Sequence, residues 1–348
     1  MLKFKKNFNK LNYFFYLLFL YLFIGKFYVN KTKPKITIFL PIYNKEKYLS
    51  YTLTMLQNQT LKEIEIIAVN DFSSDNSLKI LTNFSKNDLR IKIVNNDKNH
   101  GLLYSRAMGI LYSSGEYLLN LDADDELNGE DTLEYLYNII LSSKVDIISF
   151  NALDKKWNNI IKCIRKNQYL KQPEVYLSIF GKNDVIIEYV IWNKLIKREI
   201  FLKAYEDFKE KIYNGNWNYF EDDIWNILVN KYAKSRICIN RLVYIYNYNK
   251  KSLMNSRNSI IEFQNLIYRH EMYEKIFQSK NEQKYLIAEY IFLFKRLLSQ
   301  KNALLLLNNK NINEQIIHIF KNFMNNYNSS KIDYYYINNF LNSINSHT

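Results

Sequence analysis

From Lys35 onward, short apolar runs alternate with stretches in which apolar residues recur every three or four positions. Lys35 to Leu40 (KITIFL) reads as a strand that stops at Pro41, and Lys45 to Gln57 places Tyr48, Leu49, Thr52, Leu53 and Leu56 on one helical face. Glu65 to Val69 is a second strand. Ser74 to Phe84 is a helix with Ser73 and Asp75 as candidate caps, and Ile91 to Val94 is a third strand. A helix over Leu102 to Tyr112, a buried strand over Tyr117 to Leu121, a helix over Leu133 to Leu141 and a strand over Val145 to Phe150 follow. Such alternation predicts an α/β fold with a mostly parallel sheet covered by helices on both faces. Ligands of these sheets bind beyond the carboxyl ends of the strands. Pro41 and Tyr43, Asn70 and Asp71, and Asp122 to Asp125 all fall there.

Two flanking regions read differently. Leu11 to Val29 is a 19-residue apolar run, about 28 Å long as a helix, enough to reach across a bilayer core of about 30 Å. It predicts a single-pass N-terminal membrane anchor rather than a cleaved signal, because Gly25 is its only small residue. Lysines flank it on both sides and give no orientation. From about Ile260 the chain is helical in pattern, with a stripe that includes Tyr285, Ile291, Phe292 and Leu298. The expected organisation is therefore 1–34 basic segment and anchor, 35–255 catalytic domain and 256–348 helical extension.

The net charge of +14 suggests nucleic acid, but eight of the lysines lie in residues 1–35, which contain no Asp or Glu. The folded region therefore lacks the basic face that tracks a phosphate backbone, and a nucleic-acid partner is not expected. Two cysteines, Cys163 and Cys238, make neither a disulfide framework nor a metal-site spacing.

Candidate chemistry concentrates in carboxylates. Asp122, Asp124 and Asp125 directly follow an apolar strand, where mutual repulsion and lost hydration call for a compensating cation. A hard divalent ion, Mg²⁺ or Mn²⁺, held by one or two carboxylates and by phosphate oxygens, meets that need. Glu221, Asp222 and Asp223 lie between Trp217, Phe220 and Trp225, where desolvation raises a carboxylate towards the range of a general base. His100, beside Gly101, reads as a loop residue, and Trp192 and Trp217 as buried aromatics or sugar-stacking platforms.

The ordered set Ile38-Phe-Leu-Pro-Ile-Tyr-Asn44, Val69-Asn-Asp-Phe-Ser-Ser-Asp75, Asn99-His-Gly-Leu102 with Ser105-Arg-Ala-Met-Gly109, and Gly115 to Asp125 closely resembles the family 2 glycosyltransferases with a GT-A fold. Ile191 to Arg198, Glu221-Asp222 and Val243-Tyr-Ile-Tyr246 are similar to their bacterial exopolysaccharide branch. The resemblance implies that Pro41 and Tyr43 line a nucleoside pocket and that Asp71 accepts a hydrogen bond from the base. It places Arg106 near the base or diphosphate, Asp122 near the ribose and metal, and Asp124 on the metal. Asp222 becomes the general base of an inverting displacement, with Asp223 as its neighbouring alternative. Phe72, Ala107 and Gly129 depart from the family pattern.

The expected activity is metal-dependent sugar transfer from a nucleotide-diphosphate-sugar donor to a hydroxyl of a glycan, lipid-linked or protein acceptor, at a membrane. The alternatives are a sugar-phosphate nucleotidyltransferase and a non-catalytic nucleotide-sugar-binding module. The first wants a Gly-rich phosphate loop that Pro41-Ile-Tyr-Asn44 lacks, and the second has no need of Asp124 and Asp222.

Overall fold

A computed structural model of the chain describes residues 33–163, 169–172, 174–178, 190–212 and 221–247, with isolated positions 314 and 318. The apolar run Leu11 to Val29, Trp217, His270 and nearly all of the 256–348 extension lie outside the described residues. Among the described residues no helix is long and apolar enough to cross a membrane.

The strands are β1 (Ile36–Ile42), β2 (Ile64–Asn70), β3 (Ile91–Asn95), β4 (Tyr117–Asn120), β5 (Glu126–Leu127), β6 (Ile147–Asp154), β7 (Asn159–Ile161), β8 (Tyr169–Lys171), β9 (Lys194–Lys197) and β10 (Ser235–Tyr246). The helices are α1 (Glu46–Gln57), α2 (Ser77–Asn87), α3 (Leu102–Tyr112), α4 (Thr132–Ser143), α5 (Glu174–Leu177), α6 (Arg198–Ile212) and α7 (Glu221–Tyr232). One mixed sheet runs β3-β2-β1-β4-β9-β6-β10-β5, with β7 beside β6 and β8 beside β10. Strands β3, β2, β1, β4, β6 and β10 share one direction, and β9 is inserted antiparallel to both β4 and β6. The parallel half is the one expected; β9, β5, β7 and β8 make the whole sheet mixed.

Period-two alternation divides β1 between two layers. Ile36, Ile38, Leu40 and Ile42 pack with Leu49, Leu53 and Leu56 of α1, Leu81 of α2, and Leu133 and Leu136 of α4. Phe39 on the opposite face meets Phe201 of α6 edge-on at 5.9 Å, and Phe201 meets Trp225 of α7 at 6.0 Å. Helix α3 also lies on this face. A Cβ at Gly109 would stand 2.8 Å from the Cβ of Phe39, so only glycine lets α3 approach β1 this closely.

Strand β1 continues through Pro41 instead of ending there. Alternate residues of β1 turn their backbone groups to opposite neighbours: the Leu121 N–H donates to Phe39 O at 3.1 Å on the β4 side, and the Asp71 N–H to Ile42 O at 2.8 Å on the β2 side. Pro41 faces the β4 side beyond Phe39, where pairing with β4 has ended, so its missing N–H costs no ladder bond. Helix α2 starts three residues later than the pattern suggests. Residues 73–77 are used to bind the β1–α1 loop: Ser73 Oγ accepts from Asn44 N at 3.1 Å, Asp75 Oδ2 from Glu46 N at 3.0 Å and Ser77 Oγ from Lys45 N at 2.9 Å.

Candidate active site

The loops after β1, β2 and β4 meet at the carboxyl edge of the sheet. The acidic segment after β4 folds as a turn closed by Asp125 N–H to Asp122 O at 2.9 Å. Strand β10 clamps it: the Tyr244 hydroxyl accepts from Asp122 N at 3.3 Å and donates to Asp125 Oδ2 at 2.7 Å, and Asn247 N donates to Asp125 Oδ1 at 2.8 Å. Burial, and then the charges of Asp122 and Asp124, push the Asp125 carboxyl up to about 8. Asp125 is thus an internal brace, and the two carboxylates left facing outward are Asp122 and Asp124, 25% and 11% exposed. Trp192 is buried, stacked on Tyr244 at 4.6 Å and on Tyr246 at 5.9 Å, so it supports the clamp.

Arg106 joins this turn to the second acidic element. Its position in α3 is inward, 2% exposed, and every guanidinium nitrogen donates to a side chain: Nε to Asn120 Oδ1 at 3.0 Å, Nη2 to Asp122 Oδ1 at 3.3 Å, and Nη1 to Glu221 Oε1 at 2.7 Å and to Asp222 Oδ1. In the structure Arg106 is a hub among carboxylates. The three acids around it hold its charge firmly. Helix α7 presents its first residues unequally: Glu221 is 7% exposed at the side chain, Asp222 is 21% exposed, and Asp223 is buried. Of the two candidates for general base, Asp222 is the one that faces Arg106 and can be reached.

Burial raises Glu221 to about 8, with Asp222 adding to the effect and Arg106 opposing it. Burial likewise raises Asp222 to about 6, Arg106 opposing, Asp122 adding, and Lys194 opposing. Lys194, on β9, is a residue whose role the sequence did not reveal. It is buried, and its Nζ donates to Val190 O at 2.6 Å and Asn193 Oδ1 at 2.7 Å. Lys194→Met removes a positive charge that favours ionised Asp222, so the acidic limb of the kcat/KM–pH profile is expected to move to higher pH. A purely structural role would lower thermal stability and leave that limb in place.

The nucleoside side is built from β1 and β2. Pro41 is buried, Tyr43 is 49% exposed at the strand end, and Asp71 sits at the end of the neighbouring strand. Asp71 holds the loop that starts α3: Oδ1 accepts from Asn96 Nδ2 at 2.7 Å and His100 N at 2.9 Å, and Oδ2 from Gly101 N at 2.9 Å, with Gly101 at φ 87°. His100 is a loop residue, its ring stacked on Tyr104 at 4.1 Å and bonded to Asp97 at 2.6 Å. Phe72 takes a left-handed φ of 60°, a strained conformation for a bulky residue, and exposes its ring at this rim. Gly129 has φ 101°, a conformation closed to proline.

Residues 37–204 match the family model described as Glycosyl transferase family 2. The chain carries a family 2 glycosyltransferase domain. Among similar proteins, the uncharacterized glycosyltransferase EpsJ of Bacillus subtilis is 27% identical over 223 residues, 63% of each chain. Glycosyltransferase GlyA of Streptococcus pneumoniae is 31% identical over 63% of this chain and 31% of its own length. The chain thus spans less than two thirds of these two relatives. The crystal structure of S. aureus TarS 1–349 in complex with UDP-GlcNAc shares the fold, with a TM-score of 0.60 over 83% of this chain and 80% of that one, at 18% identity.

A divalent cation at this edge would need hard oxygen donors, and Asp124 is the one at its mouth. Among the described residues no three His, Cys, Asp or Glu side chains converge as an all-protein metal cage. Asp124 Oδ2 accepts from Lys45 Nζ at 2.6 Å at the mouth of the site, while Asp122 and Asp222 are engaged by Arg106. A single hard oxygen donor completed by diphosphate oxygens is the coordination Mg²⁺ or Mn²⁺ favours, so the residues fit.

Proposed function

We propose that the protein is an inverting, divalent-cation-dependent glycosyltransferase that moves a sugar from a nucleoside-diphosphate donor to a hydroxyl of a glycan, lipid-linked or protein acceptor. The observation that carries this reading is Asp222, a partly exposed carboxylate of raised proton affinity set against the Asp122–Asp125 turn by Arg106. The family 2 match and the UDP-GlcNAc complex of the TarS neighbour support the donor class.

In this reading Tyr43 packs on the base at the rim and Asp71 takes a base-edge hydrogen bond with its remaining acceptor capacity. Pro41 shapes the pocket floor, and Asp122 lies towards the ribose. Asp124 would hold the cation, which would supply positive charge to the leaving diphosphate. Asp222 removes the acceptor proton as the oxygen bonds to the anomeric carbon and the bond from that carbon to the diphosphate oxygen breaks. One displacement inverts the centre and needs a single base, unlike the carboxylate pair of a retaining hydrolase. Arg106 positions Asp222 and lies near the base or diphosphate, as the resemblance implies.

Asp124→Ala is expected to abolish cation-dependent nucleotide release and to remove the Mn²⁺ binding that electron paramagnetic resonance detects with nucleotide sugar present. Unchanged Mn²⁺ binding would show that the cation is held elsewhere. Leu11 to Val29 would anchor the domain to a membrane. Loss of residues 1–30 is then expected to release the protein from the membrane fraction.

A further inference from the structure

We propose that the amino edge of the sheet docks on an anionic lipid bilayer, so that the catalytic edge faces away from the membrane. This deepens the anchor reading of Leu11 to Val29 and rests on it. The first argument is chain length. Pro34 and Lys35 are pinned at the amino end of β1, where Lys35 N donates to Glu63 O at 2.8 Å, Glu116 N to Pro34 O at 3.2 Å and Tyr117 N to Lys35 O at 3.1 Å. The four residue-to-residue steps from Val29 to Lys33 span at most about 14 Å, so the amino edge cannot stand far from the point where the apolar run ends.

The second argument is what that edge carries. Because the six main strands share one direction, the connections into β3, β4 and β6 all lie on it. Leu89, Tyr112 and Leu141 occupy those connections or the helix turns before them and are 90%, 60% and 57% exposed. Singly, such residues need no explanation. Together, on the edge to which the apolar run leads, they form an apolar and net-basic face that enters a headgroup layer, since the exposed Lys33, Lys62 and Lys144 at this end of the sheet outnumber the exposed Glu116 and Glu199. The opposite edge holds Asp122, Asp124 and Asp222, about 20 Å away by the rise of seven residues in β1. The acceptor hydroxyl is then presented off the bilayer, as on an extended glycan, and not at the sugar nearest a lipid phosphate.

Environment-sensitive labels test the orientation on the full chain in phosphatidylcholine–phosphatidylglycerol vesicles. Cys163 and Cys238 are buried, so Leu89→Cys, Tyr112→Cys and, at the tip of the β6–β7 hairpin on the catalytic edge, Trp157→Cys can be labelled selectively. The proposal expects labels at 89 and 112 to shift to the blue on vesicles and to be quenched by spin-labelled lipid, with no response at 157. Response at 157 alone, or at none of the three while the protein floats with the vesicles, overturns it. Failure to float is a separate readout that removes the anchor reading and this proposal with it.

Discussion

Asp222→Asn is expected to lower kcat by about 10²- to 10⁴-fold, the usual contribution of a positioned base, while nucleotide-sugar affinity stays close to that of the parent. Asn keeps the shape of the side chain and loses the capacity to take a proton, so a folded, donor-binding variant without turnover is the signature. Asp223→Asn serves as the comparison, because Asp223 is the neighbouring carboxylate and is buried, 2% exposed. The parent enzyme is expected to lose kcat/KM as pH falls through about 6, the value to which burial lifts Asp222. The sign follows from the role: the base works ionised, so protonation on the acid side removes it. Unchanged turnover in Asp222→Asn would move the base to another residue.

Arg106→Leu is expected to be the most damaging single change to stability. It leaves Glu221 and Asp222 with no guanidinium between them and strips Asp122 and Asn120 of a partner. Breaking one side of a buried ionic network typically costs about 3–5 kcal/mol, because the surviving charges stay desolvated. Part of the loss returns in acid. Both carboxyls already have raised folded values, so the folded state binds more protons than the unfolded chain and gains relative stability as pH falls. Arg106→Lys is not a rescue, since a lysine cannot supply donors to four side chains in one plane. Thermal unfolding at two pH values checks both statements; a loss independent of pH would mean that packing rather than charge sets the cost.

The parallel half of the fold was legible because its strands are buried on both faces and its helices carry regular apolar faces. β1 and β2 read as mostly apolar runs, interrupted by Thr37 and Glu65, and Leu49, Leu53 and Leu56 recur at helical spacing. The later half was obscure for a physical reason: β7 and β8 have three residues each, β9 has four, and pairing partners distant in sequence define them. At the site, the acidic residues could be recognised one by one, but their partners could not. Lys45 meets Asp124 across 79 positions, Arg106 meets Glu221 across 115, and Tyr244 meets Asp125 across 119. Local spacing says nothing about such pairs, which is why the carboxylate partners of Arg106 were not foreseen.

The central claim is sugar transfer from a nucleotide donor at the carboxyl edge of this sheet. Its most direct test is release of nucleoside diphosphate from a panel of UDP-, GDP- and dTDP-sugars by the full chain in vesicles, with and without Mn²⁺. The account predicts cation-dependent release from one donor class, absent in Asp222→Asn. Neither binding nor release with any donor, by protein shown to be folded, would contradict it.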